Sequence, residues 1–189
     1  MFNKPILFLI FNRIEHSSKV FESIRAIQPA RLYIAADGPR LSILGEKEKC
    51  NQVRDLILQQ IDWDCELHTL FRETNLGCGL AVSSAISWFF DHVDEGIILE
   101  DDCLPDETFF HFCSELLDTH RNNSSISIIS GCNFDLNQAE ATEKNTYFFS
   151  KIPYTWGWAT WKRTWLGYDY NIKKWSKINK HSFLKRIFN

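Results

Sequence analysis

The sequence lacks the features that make several protein classes easy to recognise. Its six cysteines include no Cys-x-x-Cys pair, which argues against a zinc site or a compact disulfide framework. Its histidines show no H-x-x-x-H spacing and its serines form no G-x-S-x-G elbow. A metal held by histidines and hydrolysis by a serine nucleophile therefore have no support. Free thiols in a reducing cytoplasm are the simplest interpretation of the cysteines.

The chain also has no long apolar run and no strong excess of either charge. Its opening run, residues 5–11, holds about seven apolar residues, too few for a membrane span, and no small-residue cleavage site follows it. We therefore expect no transmembrane segment and a cytoplasmic protein. The net charge of −3 gives no electrostatic case for nucleic-acid binding. The basic tail from Lys173 to Arg186 is either a solvated helix face or a weak contact to the inner face of a membrane or to an anionic partner.

What the sequence does have is the composition of an ordinary globular protein. Hydrophobic residues make up 44% of the chain and charged residues 24%. Its 189 residues predict a single domain. The pattern changes after about residue 131, where a polar stretch (133–146) precedes an aromatic-rich segment. We therefore divide the domain into halves, 1–131 and 132–189.

Apolar runs bounded by turn residues predict the strands of a parallel sheet that is buried on both faces. These runs cover residues 6–11, 32–36, 97–99 and 126–129. A fifth run, residues 66–71, alternates instead, as expected for an edge strand.

Helical patterns lie between the strands, with apolar residues every three to four positions. They include Val20 with Ile24, Cys50 with Val53, Ile86 with Phe89 and Phe109 with Cys113. Alternating strands and helices predict an α/β fold, a mostly parallel, doubly wound sheet with helices on both faces. Ligands bind such sheets at the carboxyl ends of the strands, near the point where the strand order reverses.

Three acids, Glu100, Asp101 and Asp102, directly follow the predicted strand that ends at Leu99. Adjacent carboxylates raise one another's pKa, so grouping them at the end of a strand makes sense if a cation offsets their charge. Mg²⁺ or Mn²⁺ is the cation that such oxygen ligands prefer, usually together with substrate phosphates. The alternative is a solvated acidic turn, which we consider less favoured directly after a buried strand.

Polar residues also follow the other strands that are predicted to end at this edge. Phe11, Asn12 and Arg13 follow the first strand, and Asp37 follows the second within Asp-Gly-Pro-Arg. Asp37 could accept from a base N–H, and Arg13 could pair with phosphate through its planar guanidinium. The alternative for both motifs is ordinary turn chemistry.

Two further segments attract attention. Asn75-Leu76-Gly77-Cys78-Gly79 precedes a helix that is predicted to start near Leu80, and its glycines would let a ligand approach the backbone N–H groups. A glycine turn before a helix is the equal alternative.

In the aromatic segment, Trp158, Trp161 and Trp165 have helical spacing, so some of them are expected in the core. Tyr154 and Trp156, just before them, are candidates for lining a sugar pocket.

Taken together, these motifs resemble those of GT-A-type nucleotide-diphospho-sugar transferases, both the bacterial enzymes of surface-polysaccharide synthesis and the animal N-acetylglucosaminyltransferase that starts complex N-glycans. In the latter, Glu-Asp-Asp replaces the usual Asp-x-Asp. The resemblance runs from residue 5 to about residue 170, and it rests on the segments 11–13, 37–38, 75–77, 99–102 and 157–161.

The resemblance implies a metal-dependent glycosyltransferase that moves a sugar from a nucleotide diphosphate, such as a UDP-sugar, to a hydroxyl of a glycan or polysaccharide acceptor. Residues 1–131 would bind the donor, and 132–189 would begin the acceptor half. Asp102 would hold Mn²⁺ or Mg²⁺. The implied donor site comprises Phe11, Asn12, Arg13, Asp37, Arg72, Asn75, Gly77, Glu100 and Asp101, and the implied sugar or acceptor pocket comprises Tyr154, Trp156, Gly157 and Trp158.

One departure from this family concerns the catalytic base. Inverting members carry a carboxylate downstream of the glycine-tryptophan segment, typically in a Trp-Asp context, and Asp169 is the only acid after Lys151. Either Asp169 is the base, or the base lies in a missing C-terminal part, or the chain is inactive. The ending 183–189 resembles an amphipathic helix without a Gly or Pro stop, which favours a missing part.

Two other functions remain as alternatives at this point. A non-catalytic sugar-nucleotide-binding subunit would keep the fold without the base. A sugar nucleotidyltransferase is less favoured, because it usually carries a Gly-rich loop after the first strand, and Asn12-Arg13-Ile14-Glu15 contains no glycine.

Overall fold

The computed structural model describes residues 2–132, 147–173 and 175. These residues form an α/β fold around one six-stranded sheet, in the spatial order β3-β2-β1-β4-β6-β5. The strands are β1 (Ile6–Ile10), β2 (Arg31–Ala36), β3 (Glu66–Phe71), β4 (Glu95–Glu100), β5 (Ile128–Ser130) and β6 (Trp158–Trp161). The helices are α1 (Ile14–Ile27), α2 (Glu46–Gln59), α3 (Cys78–His92), α4 (Glu107–Thr119) and the short α5 (Lys162–Trp165).

The sheet is mostly parallel, as predicted. Strands β1 to β4 pair in parallel, and β6 pairs antiparallel with both β4 and β5. Because β2 lies on one side of β1 and β4 on the other, the strand order reverses between β1 and β4. This is the position at which open α/β sheets bind ligands.

Helices cover both faces of the sheet, which confirms the predicted fold class. Helices α1, α2 and α4 pack on one face, where alternate strand residues such as Phe8 and Ile34 are fully buried. Helix α3 packs on the other face against Leu7, Tyr33 and Ile98. Burial on both faces explains why the central strands are continuous apolar runs.

The alternating run, residues 66–71, is the edge strand β3, as predicted. The structure corrects smaller boundaries. The first strand ends at Ile10, before Phe11, and the strand expected at 126–129 covers Ile128–Ser130. The third helix begins at Cys78, two residues before the expected start at Leu80.

The helical interpretation of Trp158, Trp161 and Trp165 is wrong. Residues Trp158–Trp161 form strand β6, and Trp165 ends the short helix α5. All four residues of β6 are buried, because the strand lies between β4 and β5 with core clusters on both faces. A helix would present only one apolar stripe, whereas this segment has to be covered on two sides.

The amino edge of the sheet carries a network of ion pairs. Lys4, just before β1, donates through Nζ to Glu95 at 2.7 Å and to Asp118 at 2.6 Å. Arg121 contacts the same two carboxylates. Lys4 is 8% exposed, so this network compensates a nearly buried ammonium. The polar stretch 133–146 and the ending 183–189, both named above, lie outside the described residues.

Candidate functional site

The acidic triplet lies at the carboxyl end of β4, next to the point where the strand order reverses. Glu100 is the last residue of β4 and is in register with Leu9 of β1. Asp101 and Asp102 form the turn that follows, which the backbone N–H of Cys103 closes by donating to the Glu100 carbonyl at 3.1 Å. Asp101 is buried, whereas the side chain of Asp102 is 34% exposed. Asp102 is therefore the more accessible of the two aspartates in this turn.

Arg13, which follows β1, reaches across to this turn. Its Nε donates to Asp101 Oδ2 at 3.2 Å, and its Nη2 donates to Asp101 Oδ1 and, at 3.0 Å, to Asp102 Oδ2. The guanidinium thus forks onto one carboxylate and touches the next. Arg13 and the acidic triplet, which were both expected at this edge, are in direct contact, whereas the hydrogen bonds described for Asn12 and Asp37 go to other residues.

Two carboxyls of the triplet have raised pKa values even with Arg13 in place. Burial raises the pKa of the Glu100 carboxyl, and the charges of Asp102 and Asp101 raise it further. Burial also raises the pKa of Asp101, although the hydrogen bond and charge of Arg13 oppose this effect. A second cation near these carboxylates would lower both pKa values and stabilise the charged forms.

Asp37, which follows β2, organises the neighbouring loop. Its Oδ1 accepts from the backbone N–H of Gly38 at 2.9 Å and of Leu76 at 3.0 Å, and its Oδ2 accepts from Gly77 at 3.2 Å. Asn75 donates through Nδ2 to the Gly38 carbonyl at 2.8 Å. The structure therefore brings Asp37, Asn75 and Gly77 together, with the Asp37 carboxylate bonded to backbone amides. Its predicted contact with a base stays a prediction.

Two glycines allow the loop after β2 to pack closely against the loop after β3. A Cβ on Gly38 would lie 2.3 to 2.6 Å from backbone atoms of Thr74, closer than any side chain tolerates. Gly77 has φ of 79°, in the region that favours glycine, and it caps α3. The expected approach of a ligand at Gly77 and Gly79 stays a prediction, whereas the missing side chain of Gly38 allows the backbone of Thr74 to pack against it.

Glu46, at the start of α2, is a residue that the sequence analysis missed. It is 2% exposed and accepts from Asn12 Nδ2 at 2.9 Å and from the backbone N–H of Arg40 at 2.7 Å. The Arg40 guanidinium pairs with the same carboxylate and also lies over the Phe11 ring, 5.7 Å from its centroid. These contacts with Arg40 and Asn12 lower the pKa of Glu46 to about 2. Phe11 and Asn12 thus belong to a cluster that fixes the loop after β2.

Arg72 and Asp169 are engaged elsewhere. Arg72, after β3, donates through Nη2 to Ser84 Oγ of α3 at 2.9 Å. The Asp169 carboxylate accepts from the backbone N–H of Asn171 at 3.2 Å and of Lys173 at 2.7 Å, so it caps its own turn. No hydrogen bond described for either residue joins it to the triplet, and their predicted roles stay predictions.

The aromatic candidates divide into two groups. Tyr154, Trp156 and Gly157 line an open groove of about 1270 Å³ on the far side of β4, where Cys103 connects the groove to the acidic turn. Trp158 does not line it, because it is 6% exposed and packs with Leu7 and Ile98 in the core. Three of the four predicted pocket residues are therefore together at one surface.

The donor atoms at the acidic turn suit a divalent ion that takes most of its ligands from a substrate. Within the described ranges, no group of three or more His, Cys, Asp or Glu side chains is arranged to hold a metal ion. Mg²⁺ and Mn²⁺ are commonly held by one or two carboxylates plus phosphate oxygens. The accessible carboxylate of Asp102 could supply one protein ligand to such an ion.

No protein-family model and no curated protein sequence matches this chain. No helix in the described part of the chain has the length and apolar character to cross a membrane.

Proposed function

We propose that the chain binds a nucleotide-diphosphate sugar and a divalent cation at the carboxyl edge of β1 and β4, as the donor half of a glycosyltransferase. The single observation that carries this proposal is the contact of Arg13 with Asp101 and Asp102. In this contact a guanidinium, which could pair with phosphate, lies beside a carboxylate, which could hold a metal ion, at the point where the strand order reverses. A diphosphate bound together with a metal ion can use both kinds of group.

Each group has a separate task in this proposal. Arg13 would exchange its carboxylate partners for diphosphate oxygens, which its planar donors match equally well. Asp102, freed from Arg13, would hold Mn²⁺ or Mg²⁺. When bound, such an ion offsets the negative charge that builds on the leaving nucleotide diphosphate. Glu100 and Asp101 would remain beside the sugar and ribose, and Asp37 would hold the loop after β2 and the loop after β3 together around the nucleotide.

The groove beside Cys103 supports the proposal that the acceptor binds on the far side of β4. Tyr154 and Trp156 are 42% and 55% exposed there, and Ser130 Oγ donates to the Tyr154 carbonyl at 2.8 Å. Exposed aromatic rings offer a stacking surface for a sugar ring, and the Ser130 hydroxyl, which also accepts from the Tyr154 backbone N–H at 3.1 Å, holds this segment against β5. We therefore assign the glycan or polysaccharide acceptor to this groove, next to the donor at the acidic turn.

A thermal-shift and calorimetric screen of nucleotide sugars, with and without Mn²⁺, tests the proposal. A ligand present at a hundred times its Kd adds about 2.7 kcal/mol to the free energy of unfolding, which raises Tm measurably. We expect stabilisation by a UDP-sugar that requires the metal, its loss in Asp102→Ala, and its retention in Asp91→Ala. Asp91 is an exposed carboxylate near the far end of α3, so it controls for charge. Equal binding by both variants would count against the assignment.

One observation favours a second candidate function, sugar-nucleotide binding without transfer. The Asp169 carboxylate, the one acid after Lys151, is tied to the backbone of its own turn. A general base has to reach the acceptor hydroxyl that it deprotonates. Donor binding without release of nucleotide diphosphate, in the presence of diverse acceptors, would support this second function over transfer.

A further inference from the structure

Arg54, on helix α2, joins the ends of β2 and β3. Its Nη2 donates to the Asp37 carbonyl at 2.9 Å and to the Arg72 carbonyl at 2.7 Å. Asp37 and Arg72 are the first residues after the two strands, so a single nitrogen bridges two chain segments at the point where their pairing stops. The Arg54 guanidinium also lies over the Phe71 ring, 5.2 Å from its centroid.

The two segments need such a bridge because they separate directly after it. The backbone N–H of Arg72 donates to the Ala36 carbonyl at 3.0 Å, which extends the pairing of β2 with β3 by one hydrogen bond. Further along, the Asp37 carboxylate joins the two loops by accepting from the backbone N–H groups of Leu76 and Gly77. The spacing of the loops therefore depends on where the Asp37 side chain is held.

Asp37 is fixed from two sides. Its carbonyl accepts from Arg54, and its carboxylate accepts from the backbone N–H groups of the two loops, including that of Gly38 at 2.9 Å. The Asp37 carbonyl and the Gly38 N–H belong to one planar peptide unit, so a bond that holds the carbonyl also sets the direction of the loop. The bond from Arg54 to the Arg72 carbonyl does the same for the loop after β3.

We propose that Arg54 is a positioning residue for the nucleotide, which acts through Asp37 and Arg72 and does not touch the ligand itself. This inference rests on the proposed function, in which the loops after β2 and β3 surround the nucleotide. It adds a residue on α2 that the sequence analysis did not single out. Loops that are already held at the right spacing bind more tightly, because less ordering has to take place on binding.

Arg163 offers a matched control at the opposite edge of the sheet. It also donates to backbone carbonyls, including those of His120 at 3.2 Å and Ile126 at 3.0 Å. Like Arg54, it lies over an aromatic ring, that of Trp161, at 4.3 Å. Arg163 follows β6, which ends beside the start of β4, at the amino edge. Its replacement removes the same kind of contact far from the two loops.

Amide hydrogen exchange, measured by NMR on the full chain without nucleotide, tests the arrangement of the loops. In Arg54→Met we expect the N–H groups of Leu76 and Gly77 to exchange at least about tenfold faster, whereas those in the central strands change much less. Arg54→Lys should recover part of the protection, because one nitrogen bridges both carbonyls in the natural protein. Arg163→Met should leave the exchange of Leu76 and Gly77 unchanged.

Titration calorimetry with a UDP-sugar and Mn²⁺ tests the link to the donor site. We expect binding to be at least about tenfold weaker in Arg54→Met, partly recovered in Arg54→Lys and unchanged in Arg163→Met. A purely structural Arg54 would lower the melting temperature, as Arg163→Met does, without this selective loss of affinity. Should Arg54→Met fail to fold, Arg54→Lys is compared with Arg163→Lys.

Three results would overturn the inference. Leu76 and Gly77 would exchange at their natural rates in Arg54→Met, or that variant would keep the natural affinity for nucleotide, or Arg163→Met would lose as much affinity. Failure of the natural protein to bind any nucleotide sugar would instead reject the proposed function. In that case, faster exchange in Arg54→Met would still show that Arg54 holds the two loops.

Discussion

Arg13 and Asp102 contact each other through Nη2 and Oδ2 at 3.0 Å, so the carboxylate proposed to hold a metal ion already has a cationic partner. In the proposed site, the arginine and the metal ion would therefore compete for one oxygen until a diphosphate offered Arg13 other acceptors. This competition gives the proposed donor site a property that can be measured.

Replacing Arg13 by Gln should change the affinities for metal and nucleotide in opposite directions. Removing the guanidinium frees Asp102 and deletes a repelling charge, so we expect Mn²⁺ alone to bind about tenfold more tightly. Nucleotide diphosphate should bind about tenfold more weakly or worse, because the anion loses a forked donor. Titration calorimetry measures both affinities. A purely structural Arg13 would instead lower both together, and Arg13→Lys separates the charge from the fork geometry.

Glu46 should make the protein sensitive to acid in a defined window. Its pKa is about 2, against an ordinary value of 4.5, so the unfolded chain binds a proton more readily than the folded one. The stability that Glu46 contributes is complete above about pH 4.5 and is lost as the pH falls from there towards 2. Within this window, the urea concentration at the midpoint of unfolding should therefore change less with pH in Glu46→Gln than in the natural protein. A slope equal to that of the natural protein would show that other groups cause the acid sensitivity.

Gly38→Ala should destabilise the fold more than Gly45→Ala does. An added methyl at Gly38 meets the Thr74 backbone, which cannot rotate away, so we expect a loss of about 2 kcal/mol or more. Gly45 has φ of 77° and open space around it, so alanine there should cost about 1 kcal/mol from backbone strain alone. Urea unfolding of the two variants measures the difference. Equal losses would mean that the loop at Thr74 yields easily.

Trp161→Ala should cost about 3–5 kcal/mol, whereas Trp156→Ala should cost less than about 1 kcal/mol. Trp161 is 2% exposed, donates through Nε1 to the Leu117 carbonyl at 3.3 Å, and lies 4.3 Å below the Arg163 guanidinium. Trp156 is 55% exposed. Denaturant unfolding followed by circular dichroism checks both values. A large loss in Trp156→Ala would mean that its ring supports the core.

The sequence predicted the parts of this structure that follow from the local pattern of apolar residues in each segment. Apolar runs identified the parallel strands, and because such strands end at one edge, Arg13 and Asp101 could be expected to lie close together. The alternation in residues 66–71 identified β3 as an edge strand for the same local reason. These features follow from the burial of each segment and require no knowledge of distant partners.

What the sequence did not reveal depends on distant partners. Trp158 and Trp161 are three residues apart, a spacing that fits a helix. The segment is a strand because it pairs with the side of β4 that β1 does not occupy. The burial of Glu46 depends on Arg40 and Asn12, whereas a glutamate in a first helical turn is normally solvated. The hydrogen bonds of Asp37 with Leu76 and Gly77 form because the loop after β2 packs closely against the loop after β3 at Gly38. The local sequence does not indicate this contact.

The reversed direction of β6 has a consequence for how this molecule can diversify. The parallel strands end at the carboxyl edge of the sheet, where the acidic turn lies. Strand β6 runs in the opposite direction and begins at that same edge, directly after Tyr154 and Trp156, which come much later in the sequence. If the proposed function is correct, changes at Tyr154 or Trp156 alter the choice of acceptor and leave the contact of Arg13 with Asp102 unchanged. The two proposed binding sites would then be mutable independently of each other.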